Sequence, residues 1–366
     1  MKKQNKKTSA TERHNSPLID RKKLLWSALF VVIAAATVWA IAAPSEEFSS
    51  RSFIKYVCGT SKPWLFAAIL SALGFIIFEG AALCVICRAF GYKVRFGRGF
   101  VYSASDIYFS AITPSASGGQ PACAYFMIKD GIPGSVTTVV LLINVTMYSL
   151  AILVIGIFVA IFMPAVFMSF GLASKVLIIL GYIVQIALVA FFVMLLVKCD
   201  LLHRVCRSVL RFLCKIRLLK REEEKQQKLD KYMAEYAACS EMIKSRKGAM
   251  AGAFIFNILQ RASVISVSFF VFLAVRGDIS KAAEIWAIQS YTVIGSNAVP
   301  IPGAMGVSDY IMLDGFGRVM PYNSAVNFEL LSRSLSFYVC VVICAITVLI
   351  KYFIQKKARL KNDRLL

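Results

Sequence analysis

Two clusters of helix-breaking residues, each set between long apolar segments, constrain the fold of this chain more than any other feature. Residues 113–121 read Thr-Pro-Ser-Ala-Ser-Gly-Gly-Gln-Pro, and residues 300–309 read Pro-Ile-Pro-Gly-Ala-Met-Gly-Val-Ser-Asp. Aligned on Pro114 and Pro302, both contain Pro-x-Ala-x-Gly. A helix broken in hydrocarbon leaves unpaired backbone groups, so protein or a water-filled cavity must meet it. Paired breaks in two halves of a membrane chain indicate a transporter's binding site. The alternative is two ordinary surface loops.

The apolar segments predict a membrane protein. Of the 366 residues, 58% are hydrophobic, against about 45–50% in soluble domains. About 20 residues of helix cross the ~30 Å hydrocarbon core, and six segments are long enough: 24–43, 64–90, 135–163, 175–197, 249–275 and 324–350. The half-apolar regions 99–131 and 282–317 contain the two breaks. We therefore predict an all-α polytopic membrane protein with about six full transmembrane helices and two broken re-entrant helical hairpins in inverted repeats.

The basic residues predict the orientation of the chain. Of the 42 Lys and Arg, 32 lie in four segments that the predicted spans and hairpins place on the same side of the membrane. By the positive-inside rule this is the cytoplasmic side. These segments are a disordered tail at 1–23, the turn 88–98, a loop at 198–248 and a second tail at 351–366. The loop separates a first membrane half, 24–197, from a second, 249–350. Helical spacing of Leu229, Met233 and Tyr236 predicts an amphipathic helix in that loop, lying on the membrane surface. Both termini are then cytoplasmic, and the two hairpins enter from opposite sides.

Several function classes are disfavoured by the same composition. The net charge of +22 lies in short blocks between spans, so it indicates attraction to an anionic membrane surface rather than to nucleic acid. Two histidines and no nucleotide-binding loop argue against metal, cofactor or ATP chemistry, and no catalytic residue is predicted.

The breaks themselves supply the candidate binding groups. Helices that restart after Gly119 and Gly306 would direct unpaired N–H groups and a partial positive charge at a phosphate or carboxylate. Glycine lets a ligand approach the backbone, and nearby hydroxyl and amide groups add hydrogen bonds. The predicted substrate-binding residues at the breaks are Thr113, Pro114, Ser115, Ser117, Gly118, Gly119, Gln120, Pro300, Pro302, Gly303, Gly306 and Asp309. The alternative is that the prolines and glycines only end helices, and that Asp309 caps the following one.

Ionisable residues inside spans are costly and are functional candidates by default. Arg261 has no obvious partner nearby in sequence, so it is the better candidate for an anionic headgroup. Arg333 is also a candidate, although Glu329 one turn away would neutralise it. Glu79 and Asp106 would carry protons or hydrogen-bond to a neighbouring helix.

At the two breaks the chain resembles the flippase-like transmembrane domain of the lysylphosphatidylglycerol synthetase family, the membrane half of the bacterial multiple peptide resistance factor. The family's Thr-Pro…Gly-Gly-Glu/Gln-Pro segment is matched at Thr113, Pro114 and 118–121, and its Pro-x-Pro-Gly-x-x-Gly-x-x-Glu segment at 300–309, with Asp309 for Glu. An arginine in the last span matches Arg333. Where many members carry Glu-Arg, this chain has Ile143 and Asn144.

The resemblance implies lipid translocation. We expect a flippase in the bacterial cytoplasmic membrane that moves an anionic or aminoacylated phospholipid, such as lysylphosphatidylglycerol. One alternative is a membrane component or enzyme of lysylphosphatidylglycerol synthesis contributing to cationic peptide resistance. Full-length members carry a soluble transferase domain, which the 16 residues after residue 350 cannot hold, so we expect no transferase activity from this chain alone. The other alternative is a small-solute secondary transporter. A separate aminoacyl-lipid synthase and a second copy of the chain are further expected partners.

Overall fold

The computed structural model describes residues 54, 56–113, 117–215, 222–297, 299 and 306–362. Within these residues every complete regular element is helical. In chain order the helices are α1 (Lys62–Ala89), α2 (Phe96–Ile112), α3 (Gly119–Lys129), α4 (Gly134–Phe162), α5 (Pro164–Ser169), α6 (Leu172–Val197), α7 (Cys199–Lys215), α8 (Glu222–Ser245), α9 (Lys247–Ala274), α10 (Ile279–Asn297), α11 (Val307–Phe316), α12 (Tyr322–Arg333) and α13 (Cys340–Asn362). A π-helical stretch, Ser334–Val339, joins α12 to α13.

Five segments of the described chain are long and apolar enough to cross a membrane. They are α1, α4, α6, α9 and the continuous segment Tyr322–Ile354. Each coincides within a few residues with a span predicted from the sequence, so the prediction of an all-α polytopic membrane protein is confirmed. The predicted span 24–43 and the tail 1–23 lie outside the described residues.

The broken regions each form a pair of short helices. The first pair is α2 and α3, of 17 and 11 residues, and the second is α10 and α11, of 19 and 10 residues. Thr113, where α2 ends, is extended at φ −111° and ψ 145°, because a following proline disfavours the helical conformation. Pro121 is accommodated in the first turn of α3, where its missing N–H removes no helical hydrogen bond.

The long helices α1 and α9, each of which precedes a broken pair, pack against each other in opposite directions. At one end the Ser61 backbone N–H donates to the Ala274 carbonyl at 2.7 Å. Further along, the Ser71 hydroxyl donates to the Ser263 carbonyl at 2.8 Å. The start of α1 therefore meets the end of α9, and these two helices of equal length run antiparallel.

Each broken pair also packs on a helix of the other half of the chain. The first broken pair packs on α13, which follows the second break, through α2. The second broken pair packs on α4, which follows the first break, through α10. Each broken pair therefore packs on a span of the other half, and the arrangement as re-entrant hairpins in inverted repeats stays a prediction.

The basic loop contributes a second helical layer that rests on the bundle. Met233 and Tyr236 on α8 are buried, and α8 packs on α4 and α7. The Tyr236 hydroxyl donates to the Leu195 carbonyl at 3.1 Å. Protein therefore covers the Met233 and Tyr236 side chains, and the position of this helix on the membrane surface stays a prediction.

Candidate functional site

The first break is braced by its own polar side chains. The Thr113 hydroxyl donates to the Phe109 carbonyl at 2.6 Å and accepts the Gly118 N–H at 2.8 Å. The Gln120 amide donates to the Asp106 carboxyl at 2.8 Å. These bonds satisfy groups that the missing helical turn would otherwise leave unpaired. Thr113 and Gln120 therefore already have protein partners.

Gly119 is buried because α3 starts against α2. A side chain at Gly119 would place its Cβ atom 2.1 Å from the Asp106 carboxyl oxygen and 2.5 Å from the Asp106 carbonyl oxygen. At Gly118 the corresponding Cβ would lie 2.6 Å from the Thr113 methyl group. Protein atoms therefore fill the space that a side chain would occupy at Gly118 and Gly119, and ligand binding at these glycines stays a prediction.

A pair of buried carboxyl groups lies beside this break. Glu79 on α1 is 5% exposed and Asp106 on α2 is 8% exposed, and Asp106 lies one turn after Ser103, a hydrogen-bond partner of Glu79. Glu79 accepts hydrogen bonds from the Ser103 hydroxyl at 3.1 Å and the Gln260 amide at 3.0 Å. Because Gln260 lies on α9, the pair joins the first half of the bundle to the second.

Arg261, the next residue on α9, provides the positive charge at this site. Its guanidinium carbon lies 4.0 Å from the centre of the Tyr148 ring and 5.0 Å from that of Phe75, so it is held by cation–π contacts. It interacts electrostatically with both Glu79 and Asp106. Arg261 is only 9% exposed, and its Nε has no hydrogen-bond partner among the described residues.

Charged side chains stabilise the start of α11, directly after the second break. Gly306 adopts φ +81° with open space where a side chain would be. Its backbone N–H donates to the Asp309 carboxylate at 2.8 Å, which confirms that Asp309 caps α11. The same carboxylate forms an ion pair with Arg333 at 2.7 Å. Arg333 also donates to the Ser308 hydroxyl, and its guanidinium stacks 5.6 Å from the Phe337 ring centre.

The sequence predicts Glu329 as the partner of Arg333, whereas the structure gives that role to Asp309. Glu329 is near enough to interact electrostatically with both residues. Asp309 lies on a different helix, so spacing along the last span could not reveal it. Arg333 is followed directly by the π-helical stretch, a local widening that often accompanies functional side chains.

The described contacts gather the predicted site residues into two groups, one at each break. Ser117 lies exposed in the turn before α3. Pro114, Ser115, Pro300, Pro302 and Gly303 lie outside the described residues. Sequence reasoning did not include Ser103, Tyr148 or Gln260 in the site. Only Gln260 carried a signal, as an amide next to Arg261 inside an apolar span.

The fold and these contacts define a polytopic helical membrane protein in which a buried arginine and two buried carboxyl groups lie beside a broken helix. The chain matches the family model described as the lysylphosphatidylglycerol synthase transmembrane region, over residues 25–344. It therefore belongs to that family. It is also similar to a UPF0104 membrane protein of Methanocaldococcus jannaschii, with 22% identity over 340 residues, covering 92% of this chain and 98% of that protein.

Proposed function

We propose that this protein translocates an anionic or aminoacylated phospholipid across the bacterial cytoplasmic membrane. The observation that carries the proposal is Arg261, a buried cation inside a predicted span with an Nε that lacks a hydrogen-bond partner among the described residues. Ionisable residues at membrane depth mark substrate pathways, and a guanidinium matches the oxygens of a phosphate. Membership of the family supports a lipid-related role.

The location of Arg261 suits a headgroup that passes between two halves of a bundle. Arg261 belongs to the second half, and the carboxyl groups that it faces belong to the first. A headgroup bound here would contact both halves, and relative motion of the halves would expose it to one leaflet and then the other. The acyl chains would remain among the lipids. Both termini and the 198–248 loop are cytoplasmic in this proposal, as the basic residues predict.

The second candidate is a membrane component of lysylphosphatidylglycerol synthesis, which the family's description favours. In that case the same site would hold phosphatidylglycerol for a separate synthase. Expression of this chain in a host that lacks lysylphosphatidylglycerol, with and without a synthase domain, separates the two functions. Translocation alone leaves the lipid composition unchanged, whereas a synthetic role adds lysyl-lipid.

Translocation is tested with purified protein in liposomes that contain fluorescent phosphatidylglycerol or fluorescent phosphatidylcholine. Dithionite bleaches only the outer leaflet, so transfer from the inner leaflet appears as additional bleaching. We expect Arg261→Ala to slow transfer of phosphatidylglycerol by roughly 30-fold or more, the lower end of the 2–5 kcal/mol lost when one partner of a buried charge contact is removed. Transfer of the zwitterionic lipid should fall less.

The matched control is Arg204→Ala, because Arg204 is an exposed arginine on α7. It should transfer both lipids at the wild-type rate. Wild-type liposomes that bleach no faster than protein-free liposomes would overturn the proposed function.

A further inference from the structure

The Glu79–Asp106–Arg261 cluster has a charge balance that limits what can bind there. The three side chains come from α1, α2 and α9, and each is at least nine-tenths buried. The other ionisable groups that face the carboxyl pair are thiols, Cys123 on α3 and Cys344 on α13. Within the described residues Arg261 is therefore the cation of this cluster, and its surroundings are apolar or neutral.

The number of buried charges limits the number of protons in the resting state. The cluster holds two buried carboxyl groups and one buried guanidinium, so one proton on the carboxyl pair balances its charge against that of Arg261. The cluster then holds one carboxylate, one carboxylic acid and one guanidinium, so its net charge is zero. Two ionised carboxylates beside one arginine would bury a net negative charge, which is strongly unfavourable.

An anionic headgroup changes this balance. A phosphate that binds Arg261 brings one negative charge, and the cluster with its ligand would then carry a net charge of −1. Protonation of the remaining carboxylate restores neutrality, because both carboxyl groups are then uncharged and the guanidinium pairs with the phosphate. The hydrogen bonds from Ser103 and Gln260 to Glu79 and from Gln120 to Asp106 can persist, since a carboxylic acid still has a lone pair to accept them.

We propose that the Glu79–Asp106 pair is a proton site coupled to Arg261, so that each monoanionic lipid headgroup is bound and carried together with one proton. The pair is then the place where a proton gradient drives lipid movement. The unpartnered Arg261 Nε and the unpartnered Gln260 Oε1 in the same cluster are the buried polar atoms that a phosphate group and a bound proton would satisfy. This inference deepens the proposed function and rests on it for the lipid nature of the ligand.

The first test counts protons in the wild-type protein. Calorimetric titration with dihexanoylphosphatidylglycerol, in two buffers of different ionisation enthalpy, gives the number of protons taken up for each lipid bound. We expect one proton with this anionic probe and none with dihexanoylphosphatidylcholine, whose headgroup is already neutral overall. Binding of phosphatidylglycerol without proton uptake would overturn the inference. Inorganic phosphate is a third titrant, and binding of phosphate without the lipid would assign the site to a soluble anion.

The second test removes both carboxyl groups. The Glu79→Gln, Asp106→Asn double variant keeps Arg261 and the hydrogen-bond acceptors, so it should bind the probe with no proton uptake. Glu223→Gln, at an exposed position on α8, makes the same change in charge outside the cluster and should retain the uptake. One proton still taken up by a folded double variant would overturn the inference. If the double variant does not fold, the wild-type titration alone decides whether one proton is taken up for each lipid bound.

A pH gradient across liposomes separates this inference from the proposed function. With one proton per lipid, phosphatidylglycerol should accumulate in the leaflet on the alkaline side, by about tenfold per pH unit at equilibrium. Transfer that equalises the leaflets regardless of the gradient would overturn proton coupling and leave translocation standing. Binding with proton uptake but without any transfer would overturn translocation and leave the coupled site standing.

Discussion

The two helix breaks share a sequence pattern but use their charged residues differently. At the first break, uncharged groups of Thr113 and Gln120 hold the chain, and the arginine lies on another span against aromatic rings. At the second break, Asp309 both caps α11 and pairs with Arg333. Aromatic rings therefore hold Arg261 in place, whereas an ion pair with the residue that caps α11 holds Arg333.

This difference shows why a repeated motif does not imply a repeated role. Pro-x-Ala-x-Gly ends a helix in both halves, because proline and glycine act on the backbone alone. The chemistry at each break is set by which other helix packs there. For the first it is α9 with Gln260 and Arg261, and for the second it is α12 with Arg333.

Opposite labelling of the two broken pairs is the largest effect that the comparison predicts. Lys129 ends α3 and Lys281 lies near the start of α10, and both are exposed. In a background with Cys58→Ser, a cysteine at position 281 should react with an impermeant thiol reagent added outside cells. A cysteine at position 129 should react only after the membrane is opened. Equal labelling of both cysteines from outside would contradict the inverted arrangement. A cysteine in place of Lys228 should react, like the one at position 129, only after the membrane is opened.

Loss of the ion pair at the second break should reduce stability substantially. Asp309→Asn leaves the Arg333 guanidinium buried with a weaker partner, at a cost of about 3 kcal/mol, the lower end of the range for breaking a buried pair because Asp309 is partly exposed. Thermal unfolding in detergent micelles measures the loss. Asp200→Asn, at an exposed site on α7, should change the free energy of unfolding by no more than about 0.5 kcal/mol.

Gly119→Ala should destabilise the first break, because its Cβ would overlap Asp106 and Ser110. Overpacking of this kind typically costs about 1–3 kcal/mol. Gly97→Ala is the matched control, since nothing lies within 4 Å of a Cβ added on that glycine. The same unfolding measurement should show equal or slightly greater stability for Gly97→Ala. Equal stability of both variants would mean that α2 and α3 are not in close contact.

The smallest effect concerns the hydroxyl that braces the first break. Thr113→Val removes the acceptor of the Gly118 N–H and should cost about 1 kcal/mol, the low end for an unpaired buried group, because the site is only partly buried. Thr347→Val is the control, because that hydroxyl only donates to a carbonyl of its own helix, Ile343. A Thr113→Val variant as stable as Thr347→Val would show that the brace contributes little.

Features encoded along the chain were predictable, and features made by packing were not. The spans follow from the length and apolarity of each segment, and the end of α2 follows from the effect of Pro114 on Thr113. The Asp309 cap follows from its position three residues after Gly306. By contrast, the Arg333–Asp309 pair joins two helices, and the filled space at Gly118 depends on Thr113. The buried face of α8 also depends on packing, because its pattern fits a membrane surface and a protein surface equally well.

The central claim is that the headgroup binds at Arg261, beside the first break, while the Asp309–Arg333 ion pair stabilises the start of α11. The most direct test compares two variants in one liposome assay, Arg261→Gln and the double variant Asp309→Asn, Arg333→Gln, with phosphatidylglycerol transfer and unfolding temperature measured for each. Arg261→Gln should slow transfer by roughly 30-fold or more while remaining folded, at an unfolding temperature lowered by the loss of a buried cation. The double variant should unfold at a lower temperature and still transfer the lipid at a rate close to that of the wild type. Normal transfer by Arg261→Gln, together with loss of transfer in a folded double variant, would contradict the claim.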